Sequence, residues 1–333
     1  ALSSAFAAFI ADLRRPPPSA QMAFWDPALP KPPATPRQVL EALEAGRADL
    51  AGTMAAVRCM HPIYEQLAAT LAVRRASGER KDEALILANM ARARALPADP
   101  GPRYIIVDPA AQQIRLYENG QVVDTMRAIV GTPQAQTPSF AGLMRYASFR
   151  PYWNIPPDIV RDEIAPHIVR EGMAYVERED LQVLSDWTPQ ARVLDPATID
   201  WKAVANGALA PRVRRLPGER NILGQVKLML PNPLGIYLHD TPNKAPFAWE
   251  RRLLSHGCVR LEDAQRLARR LIGPTADNPP PGDDVRVDLP RAVPVFVVYL
   301  TLAPGPDGLE RRPDVYGRDA PLLAELGAVA AAG

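Results

Sequence analysis

The chain has 333 residues, 47% of them hydrophobic, which is long enough for two compact units. Thirty-nine Lys and Arg face 37 Asp and Glu, so no global field draws the protein onto nucleic acid or an anionic membrane surface. No stretch approaches the roughly 20 uninterrupted apolar residues that span a bilayer, and partners have to be read from a local site.

Proline is abundant at 37 residues, more than twice what a usual frequency of about 5% gives, which predicts long ordered loops. The chain starts at Ala1 without a basic segment followed by an apolar one, as expected of a processed secretory protein or a trimmed chain. From Leu2 to Leu96 apolar residues recur at helical spacing, interrupted by proline-rich breaks at Pro16–Pro18 and Pro27–Pro36. The clearest helix starts at Thr35, with Pro36 in its first turn and Gln38 placed to close a capping box, and stops near Gly46. Two more are predicted around Tyr64–Arg75 and Lys81–Ala95, the latter with Ala84, Leu87, Ala88 and Ala91 as a buried stripe.

At Pro97–Pro102 the period changes from helical to alternating, which sets the expected domain boundary: residues 1–97 helical, residues 98–325 mainly β. Tyr104–Val107, Gln113–Tyr117 and Val122–Val130 read as strands, the last two joined by the turn dipeptide Asn119-Gly120. Later strands are predicted at Val226–Met229, Ile236–His239, Val285–Val287 and Val295–Thr301, with a helix over Asp263–Leu271 capped by Asp263. Residues 153–221 read as a long irregular insertion with short helical runs such as Asp158–Ile164. Such an insertion is either a lid or a solvated excursion.

The chemistry concentrates in Ile236 to Lys244 and Ser255 to Asp263, which hold two of the four histidines and one of the two cysteines. A cysteine thiol near pKa 8.5 needs an imidazole or another cation to act as a nucleophile at neutral pH. Cys258, flanked by Gly257 and His256, is the candidate nucleophile, and Cys59, in an Ala-rich helical segment, is read as a small buried hydrophobe. A disulfide between the two is the alternative for an exported chain. His256 is too close along the chain for an easy bond to Cys258. His239, on a separate strand, is the better base, and His256 shapes the loop or contacts substrate. Strand alternation turns the Asp240 carboxylate away from His239, so a backbone carbonyl can orient the imidazole instead. The N–H groups of Gly257 and Cys258 are candidate oxyanion donors. A zinc site made of His239, His256 and Cys258 is a rival reading. His61 and His167 are read as structural, and Trp153 and Trp249 as either groove-lining or packed.

The pattern of an early His followed by Ser255-His256-Gly257-Cys258 resembles the L,D-transpeptidase (YkuD-type) catalytic domain. The likeness extends to Gly131 with Thr137-Pro138 and to Asp314-Val315-Tyr316-Gly317-Arg318-Asp319. Asn154-Ile155-Pro156-Pro157, Ile199-Asp200-Trp201 and Leu230-Pro231-Asn232-Pro233 resemble the large periplasmic subfamily typified by YcbB.

The resemblance implies an α+β fold: a mixed, mainly β catalytic domain with a capping-loop insertion at about 153–221, beside a small helical scaffold. It implies Cys258 as acylated nucleophile, His239 as base, the Asp240 carbonyl as orienting acceptor, and the amides from His256 through Gly257 to Cys258 as oxyanion hole. Ser255 and Arg260 would support the loop and an acidic substrate, with Tyr237 lining the site; Trp153, read from residue type, is the further substrate-binding candidate. The implied partners are peptidoglycan tetrapeptide stems as donor and acceptor, with carbapenem-type β-lactams as covalent inhibitors and no metal or other cofactor. The implied location is the periplasm, with a membrane anchor outside this chain as one option. The larger members also carry a peptidoglycan-binding module for which the helices before Pro97 leave no room. The expected activity is formation of 3-3 cross-links. An L,D-carboxypeptidase on the same site and a non-catalytic wall-binding protein are the alternatives.

Overall fold

The computed structural model describes residues 2–13, 15–29, 35–305 and 307–332. The proline-rich break expected at Pro27–Pro36 therefore lies partly outside the described residues. The N-terminal segment forms α1 (Leu2–Leu13), the short strand β1 (Ala23–Phe24), α2 (Pro36–Ala48), α3 (Leu50–Arg58), α4 (Pro62–Ala76) and α5 (Glu83–Ala93). The capping box is present: Thr35 Oγ1 accepts from Gln38 N at 3.3 Å and Gln38 Oε1 accepts from Thr35 N at 2.8 Å. Helix α4 is capped by His61, whose Nδ1 accepts from Ile63 N at 3.2 Å.

The α5 stripe is displaced from its expected register. Ile86, Ala88, Ala91 and Ala93 are buried, whereas Ala84 and Leu87 are exposed, because α5 serves two partners. Ile86 and Ala93 pack with Leu67 and Leu71 of α4 against the sheet residues Ile106 and Phe296, while Ala88 and Ala91 face Leu322. Cys59 is exposed at the end of α3, not buried as expected, because α3 buries none of its residues.

The β region comprises β2 (Arg103–Asp108), β3 (Gln113–Glu118), β4 (Gln121–Gly131) and β5 (Phe140–Phe149), then the insertion. After it come β10 (Val226–Met229), β11 (Leu238–His239), β12 (Leu253–Ser255), β13 (Val259–Leu261) and β14 (Val285–Val297). Asn119 and Gly120 both have positive φ, 48° and 78°, as a tight hairpin between β3 and β4 requires. Where two strands were expected, at Val285–Val287 and Val295–Thr301, there is one long strand with a register shift between Asp288 and Val293. That irregularity breaks the alternation and hides the continuity.

The strand order among the described residues is β1-β5-β10-β11-β13-β4-β3-β2-β14, and β14 pairs back onto β5, so eight strands close into a ring. Phe140, Met144, Ala147 and Phe149 of β5 point into its interior with Leu228, Leu238, Val259 and Val295, while Ala141 and Leu143 point out under α4 and α5. Burial on both faces removes polar alternation from β5, which is why its sequence does not read as a strand.

Residues 153–221 are organised rather than irregular. They contain β6 (Trp153–Asn154), α6 (Pro157–Ile159), a π-helical turn (Val160–Ile164), α7 (Ala165–Glu171), α8 (Met173–Arg178), β7 (Leu181–Leu184), β8 (Val193–Leu194), α9 (Trp201–Ala205) and β9 (Arg212–Arg215). Four short strands pair in the order β6-β9-β7-β8, and a core of Trp153, Ile155, Ile164, Ile168, Trp201 and Val213 lies against them. The strands are two to four residues long, too short for a period to show in sequence. The hairpin β15 (Leu302–Gly305) and β16 (Gly308–Arg311) and helix α11 (Asp319–Ala332) complete the chain.

Candidate active site

Strand register assembles the site. β11 lies between β10 and β13, pairing Lys227 with His239 and His239 with Arg260. Directly paired residues project to one face of a sheet, as do residues two apart along a strand. Lys227, His239 and Arg260 therefore form a row across three strands, with Tyr237 and Cys258 one step further along on the same side. Tyr237, His239, Cys258 and Arg260 line a cavity of about 650 Å³.

His239 is buried, and its Nδ1 lies 2.6 Å from the Asp240 carbonyl oxygen. A carbonyl only accepts, so Nδ1 carries the proton and Nε2 presents a lone pair. The Asp240 carboxylate is directed elsewhere, accepting from Gln225 N at 2.9 Å and from Lys244 Nζ at 2.5 Å. Burial pushes the His239 imidazole down to about 3, helped by the positive charge of Arg260 and, more weakly, Lys227 and Lys244. Burial likewise pushes the Cys258 thiol up to about 11, with hydrogen bonding to Tyr237 and the charges of Arg260 and Lys227 working against it. The resting state is a thiol and a neutral imidazole lining one cavity. In this state the thiol faces the Gly235 carbonyl at 3.7 Å.

The loop before Cys258 is tied down from below. Ser255 Oγ donates to the Cys258 carbonyl at 2.6 Å and accepts from Gly257 N at 3.1 Å. The Gly257 amide is thus engaged by a side chain, which removes it from the expected oxyanion donors. Gly257 has φ +108°, and a Cβ there would sit 3.2 Å from Ile236 Cδ1. Its carbonyl accepts from Thr137 Oγ1 at 2.9 Å, and the same oxygen accepts from Gly131 N at 2.9 Å. Tyr316 Oη donates to the Gly131 carbonyl at 2.8 Å, and Arg318 donates to Gln136 Oε1 at 2.7 Å and to the Thr137 carbonyl at 3.1 Å. The segment from Asp314 to Asp319 therefore buttresses the loop before Cys258 through Thr137. The sequence signal was the Thr137-Pro138 and Tyr316-Gly317-Arg318 motifs, but no role could be given them without the fold.

The insertion supplies the opposite wall of the cavity, including Trp153, Asp158, Glu163, Tyr175 and Arg215. Trp153 belongs both to this wall and to the core of the insertion, with the Arg215 guanidinium 5.6 Å from its ring centroid. His256 is exposed and pairs through Nε2 with Glu163 Oε1 of the π-helical turn at 3.2 Å, joining the nucleophile loop to the insertion. No group of three or more His, Cys, Asp or Glu side chains among the described residues is placed to hold a metal ion. Arg260 lines the cavity, and its Nε is buried without a hydrogen-bond partner among the described residues. His167 also lines the cavity and contacts Glu171 at 2.7 Å, whereas Trp249 is exposed and outside the lining. No disulfide joins Cys59 to Cys258.

The family model YkuD, the L,D-transpeptidase catalytic domain, matches residues 102–288, more than half of the chain, and the chain belongs to this family. A protein of Haemophilus influenzae provisionally named an L,D-transpeptidase is 30% identical over 234 residues. That match takes in 67% of this chain and 46% of the relative, so the chain spans about half the relative's length. Among solved structures, an L,D-transpeptidase from Mycobacterium smegmatis is 14% identical, covering 59% of this chain and 58% of that one with a TM-score of 0.29. The L,D-transpeptidase LdtMt1 in complex with imipenem is also 14% identical, covering 59% of each chain with a TM-score of 0.29.

Proposed function

We propose that the protein is a peptidoglycan L,D-transpeptidase that forms 3-3 cross-links through a Cys258 thioester. The observation that carries this reading is the shared face of Cys258, His239, Tyr237 and Arg260 in one cavity, with His239 Nδ1 held by the Asp240 carbonyl so that Nε2 is the free base. A neutral, desolvated imidazole is the form that can take a thiol proton.

In the first step the Cys258 proton passes to His239 Nε2 and the sulfur attacks the carbonyl of the L-centre that precedes the terminal D-Ala of a tetrapeptide stem. The C–N bond breaks, the departing D-Ala amine takes the proton from His239, and a thioester remains. In the second step a side-chain amine of another stem attacks the thioester, His239 accepts its proton, and the Cys258 thiol is restored. The tetrahedral oxyanion falls to the amides of His256 and Cys258, since Gly257 N–H is held by Ser255. Arg260, a cation among the cavity-lining residues, suits a carboxylate of the stem. Export to the periplasm, where such stems are cross-linked, belongs to the same proposal, as does acylation of Cys258 by carbapenems.

Incubating the protein with disaccharide-tetrapeptide and weighing the products tests the reading. Cross-linked dimer with released D-Ala is expected from the wild type and neither product from Cys258→Ala. Tripeptide without dimer would replace transfer by hydrolysis, and either product from Cys258→Ala would overturn the assignment.

A further inference from the structure

Lys227 is the member of the row that no motif singles out, and its setting is unusual for a lysine. It sits in mid-strand on β10, paired on one side with His239 of β11 and on the other with Ser148 of β5. Its Nζ lies 5.5 Å from the centroid of the Tyr237 ring. Tyr237 lines the cavity, and Lys227 is not among the lining residues. Even a partly buried ammonium normally takes a carboxylate partner, because desolvation without one is costly. Here the contact is an aromatic face, with Asp284 as the nearby carboxylate, itself bonded to Ser148 Oγ. Helix or sheet stability alone gives no reason to keep a cation in this place.

We infer that Lys227 is a positioning residue of this site: a fixed, partly buried charge that holds His239 in its neutral form and stabilises the Cys258 thiolate as it forms. The geometry supplies both effects. Lys227 is the direct cross-strand neighbour of His239, where a positive charge opposes protonation of the ring. Its Nζ also lies against the ring of Tyr237, which lines one cavity with Cys258, and the same charge favours the Cys258 anion. The other charged groups around the pair are Arg260 from β13 and Lys244 from the turn after β11, with the Asp240 carboxylate engaged by Lys244 and Gln225. Glu163 and His256 meet at the cavity rim. Arg260 and Lys244 act from the side of β13 and the turn, so Lys227 is the cation on the β10 side. Burial depresses the Lys227 ammonium, while Asp284 and Cys258 pull it back, in keeping with a charge whose counter-ion includes the thiolate.

The inference rests on Cys258 and His239 working as a pair. Its test is independent of peptidoglycan chemistry, so failure of the transpeptidase reading leaves it intact. The rate of Cys258 alkylation by iodoacetamide is measured against pH by peptide mass mapping, with exposed Cys59 in the same protein as internal control. Lys227→Met is expected to move the midpoint of the Cys258 profile up by about one pH unit and to slow alkylation about tenfold at pH 7. Lys227→Arg returns the midpoint to the wild-type value, and Cys59 is unaffected in both. Lys227→Gln repeats the comparison if the Met variant does not fold. A midpoint unchanged in the neutral variants, or a uniform fall in rate without a change of midpoint, overturns the inference and leaves Lys227 a packing residue.

Discussion

Lowering the pH from 7 to 5 should destabilise the protein through His61 and His239, and the amount follows from their burial. His61 is pushed down to about 4 and His239 to about 3, in both cases chiefly by burial, against an unfolded value near 6.5. Both folded values lie below the unfolded one, so between pH 6.5 and about 4 the unfolded chain binds protons that the folded chain refuses. Stability is therefore complete above about pH 6.5 and declines as the pH falls. Each histidine loses about 1.4 kcal/mol per pH unit in that window, so at pH 5 each costs about 2 kcal/mol and the pair about 4 kcal/mol. Urea unfolding followed by tryptophan fluorescence at pH 7 and pH 5 reads the difference. His61→Asn keeps an acceptor for the start of α4 without a titrating ring, and His239→Gln removes the second. The wild type is expected to lose about 4 kcal/mol, each single variant about 2 kcal/mol, and the double variant little. Carboxylates such as Asp108 are common to all four proteins and cancel in the comparison. A double variant that loses as much as the wild type refutes the reasoning, and with it the idea that desolvation keeps His239 neutral.

Asp240→Asn keeps the backbone carbonyl that holds His239, so D-Ala release is expected to stay within about tenfold of the wild type. A carboxylate acting as triad member would cost about 10⁴ in kcat. Thr137→Val leaves the Gly131 amide and the Gly257 carbonyl without their side-chain partner. It is expected to cost about 2–4 kcal/mol in urea unfolding and to slow Cys258 alkylation as the loop loosens, whereas an unchanged unfolding midpoint would contradict the buttress. Glu163→Gln breaks an exposed pair worth under about 1 kcal/mol, so the melting temperature should hold. Because Glu163 also lines the cavity, the change should appear in KM for the tetrapeptide, and a large drop in melting temperature would argue against this view.

The strongest local signals survived folding because they are satisfied by near neighbours. The Thr35 capping box, the Asn119-Gly120 turn and the Asp263 cap each close within four residues, so their geometry is written into a short stretch of chain. The turn of the Asp240 carboxylate away from His239 follows from strand alternation alone. Long-range features were not legible in this way. The α5 stripe shifted because the helix packs against both α4 and α11. β5 was hidden by burial on both faces, and the insertion by strands too short to show a period.

By itself the sequence picked out the candidate residues: a thiol after a small, turning residue and a histidine at a strand end are chemistry carried by residue type and spacing. The tertiary structure decided what surrounds them. It set His239 between Lys227 and Arg260, engaged the Gly257 amide with Ser255, braced the nucleophile loop through Thr137 and Tyr316, and placed the wall of residues 153–221 opposite the thiol. The physical reason is that charge, burial and hydrogen-bond partners at the site come from strands far apart in the chain. Only their pairing register determines which of those groups meet.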